Sequence, residues 1–161
     1  MRKLKDSELD KQDLKVYIGD HYHSFLNENG RMKTWNFSGL IFGMFWLAYR
    51  KRYLIVGIFI LIDILISLLF RNHLFYWLVF AVLMHLYIGK SGNLLYLTGT
   101  KKHIEQIRLK YPHLNDKDME RLLIKNGRTS WKFILPLLIY FVIIHTYIFF
   151  DDIKTIVDLY F

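Results

Sequence analysis

The sequence predicts an all-α integral membrane protein with three transmembrane helices, a short re-entrant or interfacial hairpin and a cytoplasmic helical hairpin. Of the 161 residues, 53% are hydrophobic, while 22 Lys and Arg and 14 Asp and Glu give a net charge of +8. The charged residues lie in blocks, and residues 53–97 contain only three of them: Asp63, Arg71 and Lys90. Apolar stretches of this length in a small chain are typical of helices in lipid. The absence of Cys excludes disulfide frameworks and cysteine zinc sites.

Residues 1–34 form the first predicted region, a cytoplasmic amphipathic arm ahead of a membrane domain at 35–161. The arm has no apolar stretch like that of a signal peptide, so the first span is expected to direct insertion. A short helix is predicted between Asp20 and Asn29-Gly30, with apolar residues at helical spacing: Tyr22, Phe25 and Leu26. We expect this helix to lie on the inner membrane surface or on the cytoplasmic hairpin.

Residues 35–49 are predicted to enter the membrane and return. As a helix they would reach only about 22 Å, which is short for a bilayer. Gly39 and Gly43 at small-xxx-small spacing permit either a turn or a close helix approach, as in a homodimer, and the short length favours the turn. A fourth full span is the alternative.

Three longer stretches are predicted to span the bilayer, at residues 53–70, 74–97 and 131–150. They have 18, 24 and 20 residues, and about 20 residues of helix cover the hydrocarbon core of roughly 30 Å. The alternative, a buried core of a soluble helical domain, would need more polar helix than this chain has to cover three such segments.

Residues 98–130 are predicted to be a cytoplasmic helical hairpin. A basic helix around Lys101–Lys110 ends before Pro112, and Asn115 caps a second helix that ends at Asn126-Gly127. The apolar side of the second helix carries Met119, Leu122 and Leu123.

The distribution of Lys and Arg predicts the orientation. Seven lie in residues 1–33, three in 50–52 and eight in 98–130, whereas the opposite side would hold Arg71 and Lys154. Positive charge concentrates on the cytoplasmic side, so we expect a bacterial cytoplasmic membrane, a cytoplasmic N-terminus and an external tail at 151–161. The inner, anionic leaflet is the expected lipid partner, which explains the basic blocks without nucleic acid.

Several stretches resemble a family of small bacterial membrane proteins grouped as domain of unknown function 2628. The specific stretch runs from residue 35 to 53, and weaker matches are Tyr17-Ile18-Gly19, Gly92–Tyr96 and Gly127–Ser130. The family commonly has Pro where this chain has Met44, and Gly-Gly-Thr at 127–129, where this chain has Arg128. The family has no established activity, so the resemblance implies a membrane architecture and leaves the function open. Its motif residues here are Trp35, Asn36, Gly43, Phe45, Trp46, Tyr49, Arg50, Lys51, Asn93 and Tyr96.

Asp63 and His85 form the candidate intramembrane polar pair. Each lies about 15–17 Å from one end of its predicted span, and a carboxylate at that depth needs a partner or a proton. The pair is interpreted either as a proton-coupled site, extended by His145, or as a structural hydrogen bond between helices. His21 and His23 would point to different faces of a helix, so no metal site is predicted there.

The sequence contains no catalytic, cofactor-binding or metal-binding motif, and an enzyme is not predicted. Catalysis at the inner interface would require Arg50, Lys90 and Asn93 to converge. We expect a non-catalytic accessory or self-protection factor, immunity-like, that acts by contact with another membrane component or a second copy of itself. The alternative is a small transporter or channel subunit that uses Asp63 and His85.

Overall fold

A computed structural model describes residues 11–27, 30–71 and 73–160, and these residues are all-helical, without strands. Residues 11–18 form α1, followed by a 3-10 turn at Gly19–His21. The remaining helices are α2 (Tyr22–Phe25), α3 (Phe37–Phe42), α4 (Met44–Tyr49), α5 (Tyr53–Leu69), α6 (Leu74–Lys110), α7 (Asp116–Asn126), α8 (Ile134–Ile148) and α9 (Phe150–Tyr160). The predicted all-α class is confirmed. The chain divides into two compact units, one of residues 1–36 and 91–129 and one of residues 37–90 and 130–161.

Unit 1 contains both the N-terminal arm and the predicted cytoplasmic hairpin. The sequence prediction placed that hairpin in the membrane domain. Phe25 of the arm helix lies against Tyr96 of α6, with ring centroids 4.6 Å apart. Tyr96 belongs to the predicted third span at 74–97, so this contact is with neither of the two predicted locations. Arg108 forms a bidentate ion pair with Asp13 of α1. The described apolar core of unit 1 is buried and consists of Leu14, Tyr17, Ile18, Phe25, Leu26, Tyr96, Leu97, Ile104, Ile107, Met119 and Leu123.

Helix α7 begins and ends where the sequence predicts. The Asn115 side chain accepts a hydrogen bond from the Asp118 amide at 2.9 Å, which caps the helix, and Gly127 follows its last residue. The first helix of the hairpin differs, because α6 is continuous from Leu74 to Lys110 and has no end near Leu97. Gly92 and Gly99 lie inside it, and a helical glycine costs only about 1 kcal/mol, too little to stop a helix that has no proline.

In unit 2, the predicted hairpin at residues 35–49 is two six-residue helices separated by Gly43. Gly43 has φ +51° and ψ −126°, a backbone conformation that glycine adopts without a Cβ clash. The sequence therefore located the break at Gly43 without the proline that is common in the family it resembles. Further along, Asp152 at the start of α9 accepts a hydrogen bond from the Leu74 amide at 2.9 Å and so caps α6.

Among the described residues, α6 is the helix whose length and composition suffice to cross a membrane. A second crossing would exist if α8 and α9, which are bent by 77°, formed one broken span. Helix α5 is apolar but has 17 residues, so the three predicted spans are not established. Only 11% of the apolar window of α6 is buried within the molecule, unlike the core helix of a soluble protein, and this suggests association with a membrane.

Candidate functional site

Asp63 lies at the centre of a polar cluster in unit 2. Its side chain is 3% exposed and interacts with one residue of α6 and two of α8. The Trp77 indole N–H donates to Oδ1 at 3.1 Å, and the Tyr140 hydroxyl donates to Oδ2 at 2.8 Å. His145 Nε2 lies 3.1 Å from Oδ2. Protein side chains therefore supply the hydrogen-bond partners that a buried carboxyl group requires.

The hydrogen bonds of His145 imply that it shares one proton with Asp63. Its Nδ1 lies 3.0 Å from the Phe141 carbonyl oxygen, which only accepts, so Nδ1 carries a hydrogen. The contact between Nε2 and Asp63 then requires one further proton, on either the imidazole or the carboxyl group. In both cases the pair is neutral in total, which lowers the cost of placing it among apolar side chains.

Aromatic rings hold the His145 imidazole in place. It stacks on Phe141 with ring centroids 5.0 Å apart and on Phe149 at 6.3 Å, and Trp77 lies 4.5 Å away. On the Asp63 side, the Ser67 hydroxyl lies 3.4 Å from Nε2. A ring enclosed in this way has little freedom to rotate away from Asp63.

His85 is not a hydrogen-bond partner of Asp63. Its Nδ1 bonds the Leu40 carbonyl at 2.9 Å, and its ring lies so close to Gly43 that an added Cβ would be 2.7 Å from Nε2. The sequence prediction counts the depth of Asp63 from the inner end of its helix and the depth of His85 from the outer end of the next helix. Counted from the shared turn at residues 70–73, Asp63 is about 10 Å deep and His85 about 17 Å, which explains the mismatch.

A cavity of about 310 Å³ connects the two residues of the predicted pair. Asp63 and His85 both line it, and the other walls are apolar side chains of α4, α6 and α8. These walls are Met44, Phe45, Trp77, Phe80, Ala81, Met84, Ile88, Leu138 and Phe141. A mostly apolar pocket with a few polar groups is the usual form of a small-molecule site.

Asn36 and Asn93, two motif residues, meet in unit 1. The Asn36 amide donates to Asn93 Oδ1 at 2.8 Å, and the Asn93 amide donates to the Lys33 and Trp35 carbonyls at 2.9 and 3.2 Å. Asn93 is 1% exposed. These contacts fix the chain where it enters the hairpin segment, which gives both residues a structural role.

The other motif stretches also contact one another within each unit. The Arg128 amide donates to the Tyr17 carbonyl at 2.9 Å in unit 1, and the Ser130 amide donates to the Tyr49 carbonyl at 2.9 Å in unit 2. Arg50 is buried, as is Trp46, while Phe45 packs on Phe141 at 5.5 Å. Trp35 is exposed, and Lys51 has a left-handed backbone with φ +59°.

Sequence reasoning missed three members of the cluster: Ser67, Trp77 and Tyr140. Each is a hydrogen-bonding residue within an apolar helix, which is the signal that could have identified them. The histidines at 21 and 23 are exposed, and no group of three potential metal ligands occurs in the described ranges 11–27, 30–71 and 73–160.

No protein-family model, curated protein or solved structure matches this chain. The resemblance to the bacterial membrane family therefore stays a prediction that depends on the motif residues alone.

Proposed function

We propose that this is a multi-pass protein of the bacterial cytoplasmic membrane with spans at 53–70, 74–97 and 131–150. The outward-facing side chains of unit 2 support this proposal. Leu54 of α5 is 80% exposed and Phe75 of α6 is 71% exposed, whereas Asp63 is buried. Exposed apolar surface of this extent costs free energy in water and little in lipid.

We propose further that the protein is a non-catalytic accessory or self-protection factor that acts by contact with a membrane component. The apolar outer faces of α5 and α8 support this role, because they offer a partner helix a packing surface: Leu61, Leu65, Val142 and Ile143. Asp63, Ser67 and His145 are buried, so recognition along these apolar faces would depend on shape. A second copy of the chain or another membrane protein fits such a surface.

Single-cysteine labelling tests the topology, since the chain has no native cysteine. Lys117→Cys is expected to react with a membrane-impermeant maleimide only after the cytoplasmic side is opened. Lys154→Cys in α9 serves as the matched external position and is expected to react in intact cells. The reverse labelling pattern would refute the orientation, and equal labelling of both in a soluble extract would refute membrane insertion.

Photocrosslinking tests the contact role. A photoreactive amino acid at Leu61 or Ile143 is expected to give a discrete protein adduct, either with this chain or with one membrane protein. The same group at buried Phe59 is the control and should crosslink within the chain. Lipid adducts alone at every outward position would contradict a role by contact.

The cavity beside Asp63 favours a second candidate function, a small transporter or channel subunit. A proton shared by Asp63 and His145 next to about 310 Å³ of space could move in exchange with a solute. Proton transport into proteoliposomes that is lost in Asp63→Asn would support this function. Transport that is unchanged in the variant would assign the cluster a structural role.

A further inference from the structure

The cavity of unit 2 combines aromatic walls with one carboxyl group. Phe45, Trp77, Phe80 and Phe141 contribute four aromatic rings, and Asp63 contributes the acid. Aromatic faces attract organic cations, most strongly when water is excluded, and cages of such rings are used to bind quaternary ammonium groups. The lining therefore matches a ligand with positive charge and apolar substituents.

The Asp63 carboxyl group retains a position for one more donor or cation. Oδ2 contacts both Tyr140 and His145, whereas Oδ1 has the Trp77 indole as its hydrogen-bond partner. A carboxylate oxygen accepts two hydrogen bonds, so Oδ1 has unused capacity. Asp63 also lines the cavity, so this capacity is within reach of a bound molecule.

Charge balance determines what can occupy this position. Asp63 and His145 are neutral together while they share a proton, and a bound monovalent cation would give the site a net charge of +1. Uncompensated charge in an apolar site is costly. If the proton leaves when the cation binds, the total charge stays at zero.

The ionisable groups around Asp63 permit that exchange. Helix α8 presents Tyr140 and His145, α5 adds the neutral Ser67, and α6 presents the Trp77 indole. His85 stands on the cavity wall and is bonded to the Leu40 carbonyl. Among the described residues that line the cavity, α4 contributes Met44 and Phe45, neither of which is charged. The exchanged proton therefore belongs to the Asp63 and His145 pair.

We propose that this cavity binds a monovalent organic cation with apolar substituents, of the quaternary ammonium class, and that binding releases the proton shared by Asp63 and His145. The ammonium group lies against Asp63 and the aromatic rings, and the released proton passes to water. This inference rests on the second function proposed above and specifies its ligand class.

Binding is tested with the purified full-length chain in lipid nanodiscs. The probe is benzyltrimethylammonium, and its uncharged carbon isostere, neopentylbenzene, is the matched ligand. We expect saturable binding of the cation, at least tenfold tighter than the isostere, with one proton released per cation in weakly buffered solution. Equal affinity for both ligands without proton release, or no binding of either, would overturn the inference.

Substitutions test whether cation binding and proton release depend on the cavity beside Asp63. Asp63→Asn is expected to weaken cation binding at least tenfold and abolish proton release, while Asp158→Asn, an exposed aspartate of α9, leaves both unchanged. Phe80→Leu keeps the apolar wall and removes one aromatic ring. It should weaken binding of the cation severalfold and leave the affinity for the isostere unchanged. An unchanged cation affinity in Phe80→Leu would count against the aromatic site even if Asp63→Asn fails to fold. Membrane insertion is scored separately by cysteine labelling, so an inserted protein that binds no cation refutes this inference alone.

Discussion

The two units of this chain distribute polar and apolar side chains in opposite ways. Unit 1 buries aliphatic and aromatic residues, and the large exposed hydrophobic side chains in its described part are Met32, Trp35, Leu94 and Leu109. Unit 2 exposes such residues along α5, α6 and α8, while Asp63, Ser67 and His145 are buried. This contrast fits the proposal that lipid surrounds unit 2 and that water surrounds the part of unit 1 outside the predicted span at 74–97.

This difference changes which forces stabilise each unit. Burial of apolar surface drives folding in water, at roughly 25 cal/mol per Å². Helices in lipid gain nothing from that effect when they associate, so packing and hydrogen bonds between helices dominate. Substitutions of similar chemistry should consequently have different effects in the two units.

The largest effect is expected from Gly127→Ala in unit 1. A Cβ at this position would lie 2.1 Å from the Tyr17 carbonyl oxygen, a backbone atom that cannot move alone. We expect unit 1 to lose about 3 kcal/mol, since overpacking of a rigid contact forces backbone shifts. Hydrogen exchange should show lost protection in α1 and α7 and retained protection in α5 and α8.

Gly57→Ala in α5 is the matched control for that substitution. Apart from its chain neighbours and the backbone of its own helix, no atom lies within 4 Å of the added Cβ, and Ala is favoured over Gly in a helix by about 1 kcal/mol. We expect the same or greater protection in unit 2. If Gly127→Ala lowered protection equally in both units, the comparison would fail, because the units would unfold together.

The second effect compares a buried hydrogen-bonding side chain from each unit. Asn93→Ala leaves the Asn36 amide and two carbonyls without their partner, and we expect a loss of about 2–3 kcal/mol. Ser67→Ala in unit 2 removes one longer contact, and hydrogen bonds between membrane helices average about 0.6 kcal/mol. Local unfolding free energies from hydrogen exchange measure both losses, and a larger loss for Ser67→Ala would contradict this expected order.

The sequence predicted those parts of the fold that depend on local chemistry. The Asn115 cap, the end of α7 at Gly127 and the break at Gly43 each follow from one residue type with a known backbone preference. The continuity of α6 past Leu97 was not predicted, because a change from apolar to basic residues alters the environment of a helix without ending it.

The candidate site was predicted only in part for a different reason. Asp63 and His145 were recognised as intramembrane ionisable residues, but which residues meet depends on how each helix is rotated about its axis. In apolar helices the sequence pattern carries little information on that rotation, because both faces are hydrophobic. Tyr140 and Trp77 therefore become visible as partners only in three dimensions.

A smaller, stabilising effect is expected from Arg128→Gly. Arg128 is exposed and has φ +55°, a left-handed conformation that costs a side-chain residue about 1–2 kcal/mol. Glycine removes this cost, but its greater conformational freedom in the unfolded chain offsets part of the benefit. The free energy of unfolding of unit 1 should therefore rise by about 0.5 kcal/mol. Arg128→Ala keeps the left-handed cost and is the control. Equal stability of the two variants would show that the arginine conformation is not strained.

The smallest effect concerns the basic turn of unit 2 and its dependence on pH. Partial burial lowers the pKa of Lys51 below its ordinary 10.5, and the charge of Lys132 lowers it further. Between the two pKa values the unfolded chain binds more protons at this lysine, so stability should rise slightly as the pH increases towards 10.5. Lys132→Gln should move the pKa of Lys51 upward and reduce that rise, whereas Lys154→Gln in α9 removes an equal charge and should leave it unchanged. Unfolding measured from neutral pH to above 10.5 tests this, and an identical rise in both variants would mean that Lys132 does not act on Lys51. Because a lysine in water would show no such dependence, the rise also reports how far the end of unit 2 is shielded from solvent.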